Sequence, residues 1–444
     1  MRFSLKKAIL FFTVACTLLT TVLCGCKNPS KSNSDLPFLK VEGELVKNAY
    51  GDTVSLRGVN AGGLFVIEQW MNGFVSSYAE GSTITARDHK TTTQVFIERF
   101  GAEKAQELWK IYRENWWSEA DFENCRNMGI NVIRLPFTYM NVDFAAVTDL
   151  NNGGKNYDFS AISEFVDKAA EYGIYTILDL HGAYGSQNGK DHSGETLSAS
   201  QVDFYSNPQK QQLTIDLWKA LATHFKDNPN VAAYDILNEP AETTDSGGTQ
   251  VTSLRHWQVF DKIYDAIREV DTEHIVVFES CWDAENIPQP SQFGWQNCMY
   301  SFHHYSGCSG EGKEETHKET VDKKISEITA ANFGVPIQMG EFTCYESLQQ
   351  WEYTLRVMNE AGWHWCTWTY KINNTWGNSP WGVVRVETTR QDKVNAHLDS
   401  YETIVEKFKT LKTTPDIECF KFSNNKLLFE LLYEYATNLY LQYS

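Results

Sequence analysis

The stretch Ala232–Glu242, "AAYDILNEPAE", begins as the apolar core of a strand and ends on a polar stub, Asn238-Glu239-Pro240. Pro240 has no N–H for a ladder and stops the strand. A carboxamide and a carboxylate are therefore delivered side by side where the strand ends. Seven other apolar, β-rich runs share this character: Val54–Asn60, Asn131–Leu135, Ile174–Leu180, His274–Glu279, Met299–His303, Val335–Gly340 and Trp363–Thr369. Helix-period segments lie between most of them, at Gln94–Met128, Phe159–Tyr172, Gln209–Phe225, His256–Val270, His317–Asn332, Tyr345–Ala361 and Val394–Leu411. Only the gap between the fifth and sixth runs lacks a clear helix.

Near-continuous apolar strands alternating with helices describe a parallel sheet buried on both faces. Eight of them predict a closed (β/α)8 TIM barrel, about 250 residues in its bare form. The chain has 444 residues, so the loops carry insertions. The barrel is expected over residues 38–412, opened by an N-terminal hairpin with Tyr50-Gly51-Asp52 at its turn and closing the barrel floor. An open doubly wound sheet fits less well, because no glycine-rich phosphate loop is present. The tail, 413–444, contains "NKLLFELLYEYATNLYLQYS", which predicts one further helix packed on the barrel, with a partner or membrane contact as the alternative.

The formal net charge of -18 disfavours nucleic acid as a partner, since that binding needs a surplus of Lys and Arg. The first residues read as a targeting segment. Arg2, Lys6 and Lys7 form a basic region, Ala8–Leu23 is an apolar region too short for a spanning helix, and "LCGC" resembles a bacterial lipobox. This predicts a signal peptide over 1–25, a lipid on Cys26, and a flexible tether over 26–37. The protein would be exported, anchored to the outer membrane or cell surface through that lipid, or else plainly secreted. A monomer is expected. Seven cysteines remain beyond the leader, scattered and odd in number, so there is no disulfide framework, although Cys298 and Cys308 could pair. No CxxC or HExxH occurs, so no metal site is indicated, and no cofactor is expected.

In a barrel, catalysis happens at the C-terminal ends of the strands. Those ends place Arg134 after the second strand, His181 after the third, Asn238 and Glu239 after the fourth, His303, His304 and Tyr305 after the sixth, Glu341 after the seventh, and Trp368, Tyr370 and Lys371 after the eighth. Any one of these is weak evidence, since a lone Glu after a strand is commonly a helix-starting acid. Their coincidence is not weak: two carboxylates lie on opposite sides of one mouth, ringed by Arg, Asn, His, Tyr and Trp. A glycosidic bond breaks when one carboxylic acid protonates the leaving oxygen while another carboxylate engages the anomeric carbon.

These residues resemble glycoside hydrolase family 5, over roughly Phe38–Lys371. "LNEP", "HHY", "MGEF" and "GWHWCTWTYK" carry the likeness. "LRGVNAGGLFVIEQW" and "FIERFGAEKAQELWKIYRENWWSEADFENCRNMGINVIRLPF" are similar to the exo-β-1,3-glucanase branch. The resemblance implies a retaining double displacement, with Glu239 as acid/base and Glu341 as nucleophile. It implies substrate contacts for Arg134, His181, Asn238, His303, Tyr305 and Trp368. Burial and an acidic neighbour are expected to raise the pKa of Glu239, and Arg134 and Tyr305 to hold Glu341 ionised. The substrate would be a β-linked oligo- or polysaccharide, a neutral β-glucan first.

The exo branch usually carries Gly-Gly-Trp-Leu where this chain has "GGLFVIEQ", which leaves linkage and exo action open. Trp376, Trp381, Tyr184, Trp282 and Trp295 are candidates for outer sugar subsites or for loop packing. The alternatives are an endo-acting cellulase or mannanase, a β-glycosidase on glycoconjugates, and a non-catalytic glycan-binding lipoprotein. The last would tolerate loss of either carboxylate, and both are present. A serine hydrolase is disfavoured because no G-x-S-x-G occurs.

Overall fold

The computed structural model describes residues 36–442, apart from 241–253, 282–283, 285–286, 307–311, 375–378 and 416. Eight parallel strands close a barrel: β1 (Arg57–Asn60), β2 (Val132–Thr138), β3 (Tyr175–Gly182), β4 (Val231–Asp235), β5 (Ile275–Cys281), β6 (Cys298–Tyr305), β7 (Ile337–Thr343) and β8 (His364–Thr367). Each pairs with the next in sequence. β8 returns to β1 through Trp365↔Arg57, Cys366↔Gly58 and Thr367↔Val59. The eight sequence runs coincide with these strands, and the (β/α)8 barrel stands.

The differences lie at boundaries. β2, β3, β6 and β7 run past the apolar stretches, to Thr138, Gly182, Tyr305 and Thr343. In β3, β6 and β7 the added residues bond within the mouth, His181 to Asp179 and Tyr305 to Glu341. β7 carries a register shift between Met339 and Glu341, so Gly340 is a bulge that re-aims Glu341. The expected helix over 94–128 is three helices, His89–Phe100, Ala102–Trp116 and Glu119–Asn127. Gly101, at φ 87°, breaks the first pair, and a Ser118–Asp121 capping box restarts the chain after the second. The last expected helix is shorter too. It runs only over Tyr401–Lys409, capped by Ser400, because Val394–Asn395 pair instead with Phe74–Val75. Between β5 and β6 a single turn, Pro290–Phe293, stands in the gap that lacked a helix signal.

The N-terminal hairpin pairs Leu39–Glu42 with Leu45–Asn48. Its tight turn is at Gly43, φ 61°, whereas Tyr50–Asp52 form a second turn leading to β1. The hairpin's Leu39 and Val46 join Leu56, Val132, Ile177, Ala233, Ile275, Val277 and Met299 in one buried apolar cluster that plugs the barrel floor. In the tail, Glu418–Cys419 add to Val384–Glu387, and the helix Leu428–Ala436 buries Leu428, Leu431 and Leu432. The guanidinium of Arg57 donates to the carbonyls of Tyr435 (2.9 Å) and Ala436 (3.2 Å), tying the tail to β1. Among the described residues no helix is long and apolar enough to cross a membrane. Cys298 is a buried free thiol at the start of β6; Cys26 and Cys308 lie outside the described residues.

β1 and β2 approach so closely that a Cβ on Gly58 would sit 2.0 Å from the Val132 carbonyl oxygen. Gly58→Ala is expected to destabilise the barrel by about 3 kcal/mol or more, because the clash is with backbone. Denaturant unfolding followed by tryptophan fluorescence checks this.

Candidate active site

The mouth is organised by one cation. Arg134 projects from β2 into the barrel and is fully buried. Its Nε donates to Asp235 Oδ2 at 2.9 Å. Nη1 donates to Glu341 Oε1 (2.8 Å) and Asn60 Oδ1 (3.1 Å), and lies 3.1 Å from Asp179 Oδ2. Nη2 donates to Asn238 Oδ1 (2.8 Å) and Glu279 Oε2 (3.3 Å). Burial works against this charge, but the surrounding carboxylates, Asp179 first, outweigh it and hold the guanidinium firmly protonated.

One cation cannot neutralise four acids. Burial pushes Asp179 up to about 7 and Asp235 up to about 6, with Arg134 opposing in each case. Burial, then the charge of Asp235, drives Glu279 well above the carboxylate range. Asp179 Oδ1 has no partner among the described residues, which fits a carboxyl short of solvation.

The other side chains stand around this hub. Glu341 accepts from Arg134 and from the Tyr305 hydroxyl (2.7 Å), and lies 3.4 Å from His303 Nδ1. Glu239 lies 2.8 Å from His303 Nδ1 through Oε1 and 3.3 Å from His192 Nε2 through Oε2. Its own backbone is in the left-handed region, φ 40°. That conformation is held on both sides, for its N–H donates to Glu279 Oε1 at 2.9 Å and its carbonyl accepts from Asn188 Nδ2 at 3.1 Å. His181 hydrogen-bonds Asp179 through Nδ1 at 2.7 Å and stacks on Trp368 with ring centres 5.5 Å apart. Burial lowers its pKa to about 3, so it is a neutral imidazole donating to Asp179. The Trp368–Thr369 peptide is cis.

All eight residues expected to act thus converge at one mouth: Arg134, His181, Asn238, Glu239, His303, Tyr305, Glu341 and Trp368. The electrostatic expectation for Glu239 is overturned. Burial does raise its pKa, but His192, then the bond and charge of His303, prevail and bring it down to about 2. Sequence reading weighed acidic neighbours; the atoms against this carboxylate are imidazole nitrogens. Other neighbours turn away from the mouth. His304 alternates to the outer face of β6, near His317. The Tyr370 hydroxyl donates to Asp121, and Lys371 Nζ to the Trp116 carbonyl and Thr413. Tyr184 is buried against Tyr139, and Trp295 is sandwiched by Phe278 and Phe293, so both are loop packing. Trp381 stays at the mouth, beside Trp70 (5.1 Å), Tyr305 (5.7 Å) and Tyr345 (4.9 Å). Trp282 and Trp376 lie outside the described residues.

Sequence reading missed Asn60, Asp179, Asp235, Glu279, Glu68 and His192. A signal existed for three of these: Asp179, Asp235 and Glu279 are acids inside otherwise apolar strands, and Asp179 stands two residues from His181, on the same face. Glu68 sits in the loop after β1. Its Oε2 accepts from Trp70 Nε1 (2.8 Å), its Oε1 has no partner among the described residues, and burial pushes it up to about 7. Donor atoms of Glu239, His303 and Glu341 lie within 4.8 Å of one another, a spacing a metal ion could bridge. One oxygen of Glu239 thus lies within 4.8 Å of one oxygen of Glu341; retaining glycosidases hold their two carboxyl groups about 5–5.5 Å apart.

A barrel whose mouth holds two facing carboxylates of this kind defines a glycoside hydrolase. The family model for cellulase (glycosyl hydrolase family 5) matches residues 88–374. A β-xylosidase of Phanerodontia chrysosporium is 28% identical over 370 residues, covering 76% of this chain and 71% of that protein. Glucan 1,3-beta-glucosidase 2 of Saccharomyces cerevisiae is 24% identical over 326 residues, covering 67% of this chain and 55% of that enzyme. The fold is shared with an endogalactoceramidase (TM-score 0.54, 20% identity, 84% of this chain and 85% of that one). It is shared also with a rutinosidase from Aspergillus niger (TM-score 0.56, 17% identity, 80% of this chain and 98% of that one). The chain belongs to glycosyl hydrolase family 5.

The raised carboxyl of Asp179 has a pH signature. Unfolded, it would release its proton near pH 4; folded, it keeps it to about pH 7. The native state then binds more protons across that window, so this group's contribution to stability is lost as pH rises through it. Asp179→Asn is expected to show a shallower decline in unfolding free energy between pH 4 and 7 than the wild type, measured by urea titration at each pH.

Proposed function

We propose that Glu341 is the nucleophile and Glu239 the acid/base of a retaining hydrolysis of neutral β-glucosides. The observation that carries this is the pairing of environments. One carboxylate is oriented by a guanidinium and a phenol, and the other, within reach of the same anomeric carbon, is aimed by imidazoles. Glu341 attacks the anomeric carbon, and Glu239 gives its proton to the leaving oxygen. Water then enters on the same face, yielding its proton to Glu239. Asn238, fixed by Arg134, faces the sugar beside Glu239, a placement suited to the 2-hydroxyl. Trp368, stacked on His181, floors the pocket.

The fungal glucan 1,3-beta-glucosidase relatives favour an exo-acting β-1,3-glucosidase. The β-xylosidase relative supports a second reading, a β-xylosidase acting with the same carboxylates. The chain's net charge of -18 suits a neutral sugar of either kind. We infer further that residues 1–25 are a leader, that Cys26 carries a lipid and that 26–37 tether a monomeric enzyme to the cell envelope; mass spectrometry of the N-terminal peptide tests the lipid.

A product time course on laminarin, carboxymethylcellulose, mannan and xylo-oligosaccharides tests the activity. Glucose alone from laminarin, released with the β-configuration by NMR, is the expected outcome. Mixed oligosaccharides would mean endo action, and xylose the second reading. Glu341→Gln is expected to abolish turnover. Glu239→Ala should cost about 10²–10⁴-fold on substrates with poor leaving groups, the usual contribution of a general acid. Full activity in Glu341→Gln would sink the assignment.

A further inference from the structure

The role given to Glu239 needs a proton that its own surroundings do not favour. On the side of its Oε2 stands His192, with Nε2 3.3 Å away. This ring is reached through a built loop. Asp191–Ser193 form a single tight turn closed by Gly194 at φ 78°, whose carbonyl accepts from Lys90 N at 2.9 Å. The turn is seated on β3, where a Cβ on Gly182 would meet the Ser193 carbonyl oxygen at 2.2 Å. The same loop clamps the stub that carries Glu239. Gln187 Nε2 donates to the Asn238 carbonyl (2.7 Å) and to Ser193 Oγ (3.1 Å), and Asn188 Nδ2 donates to the Glu239 carbonyl. Ring and carboxylate are thus fixed relative to each other, Nε2 to Oε2 at 3.3 Å, both still partly exposed to the mouth.

We propose, building on the function above, that His192 is the proton-holding partner of Glu239: imidazole and carboxylate share one proton and work as a single acid. In the first half-reaction the one shared proton, drawn from Nε2 onto Oε2, passes to the glycosidic oxygen and leaves Glu239 a carboxylate. The C1–O bond breaks, Glu341 bonds to C1, the leaving group departs as a neutral alcohol, and His192 is left neutral. In the second half-reaction water gives OH to C1 and its proton to Oε2, and the pair recovers its shared proton. The groups facing the ring agree with this. Glu239, Glu68, Asp191 and Glu341 surround it, and their charges together outweigh burial and raise its pKa, while the neutral ring of His181 lies 5.9 Å away.

The experiment measures kcat/KM against pH for the full chain and for His192→Asn and His192→Gln, on aryl β-glucosides of graded leaving group. With the shared proton gone, the alkaline limb should move to lower pH. The loss should be about 100-fold on phenyl β-glucoside and under about threefold on 2,4-dinitrophenyl β-glucoside, which needs no acid. An unmoved limb with the same loss on both substrates would reduce His192 to a structural residue and overturn the proposal. Titration of the His192 imidazole by NMR, in the wild type and in Glu239→Gln, reads the pairing without turnover. A lower titration point in Glu239→Gln supports the pair, and an unchanged one overturns it. A wild type inert on every glycoside would refute the proposed function instead, leaving the NMR comparison to decide the pair.

Discussion

The buried guanidinium of Arg134 is the constraint on which the mouth depends. A cation in the barrel interior must recover, from hydrogen bonds and opposite charge, what it loses by leaving water. Here β1, β3, β4, β5 and β7 each supply an oxygen to it, from Asn60, Asp179, Asp235, Glu279 and Glu341. Five strands are thereby referenced to one planar fork, and Glu341 is aimed as a consequence. The arrangement divides the barrel into two halves. Below, an apolar plug from the N-terminal hairpin fills the floor; above, a column of acids surrounds a single positive charge.

That excess of acid over base sets the protonation pattern. The acids far from solvent, Asp179, Asp235 and Glu279, are driven toward neutrality, while Glu341 takes hydrogen bonds from Arg134 and Tyr305. Glu239 differs because it faces imidazoles. Its left-handed backbone is maintained by contacts to Glu279 and Asn188, so the strain is absorbed by β5 and the loop after β3 that aim it. Two carboxylates a few ångströms apart are given different surroundings by neighbours of different chemistry.

The fold was legible because its signal is local and repeated: an apolar run, a helix, a polar strand end. The carboxylates Glu239 and Glu341 were legible for the same reason, each being the polar residue where an apolar strand should stop. The helix over 94–128 was misread because Gly101 punctuates an otherwise unbroken amphipathic pattern. Arg134's acids were passed over because an acid within an apolar strand reads as a blemish until its cation is found. Glu68 and His192 had no local signal at all, since they stand on irregular loops where periodicity says nothing.

The amino-acid sequence by itself determined that eight strands would alternate with helices and that Asn238, Glu239 and Glu341 would sit at strand ends. Those features follow from hydrophobic periodicity and from where proline and polar residues interrupt it, and they need no knowledge of distant neighbours. Only the tertiary structure decided which side chains touch: that Arg134 serves four acids, that Glu239 meets His192 and His303 rather than another carboxylate, and that Tyr184 and Trp295 pack loops. Charge states depend on contacts between residues as far apart in the chain as 134 and 341, and barrel closure is what brings them together.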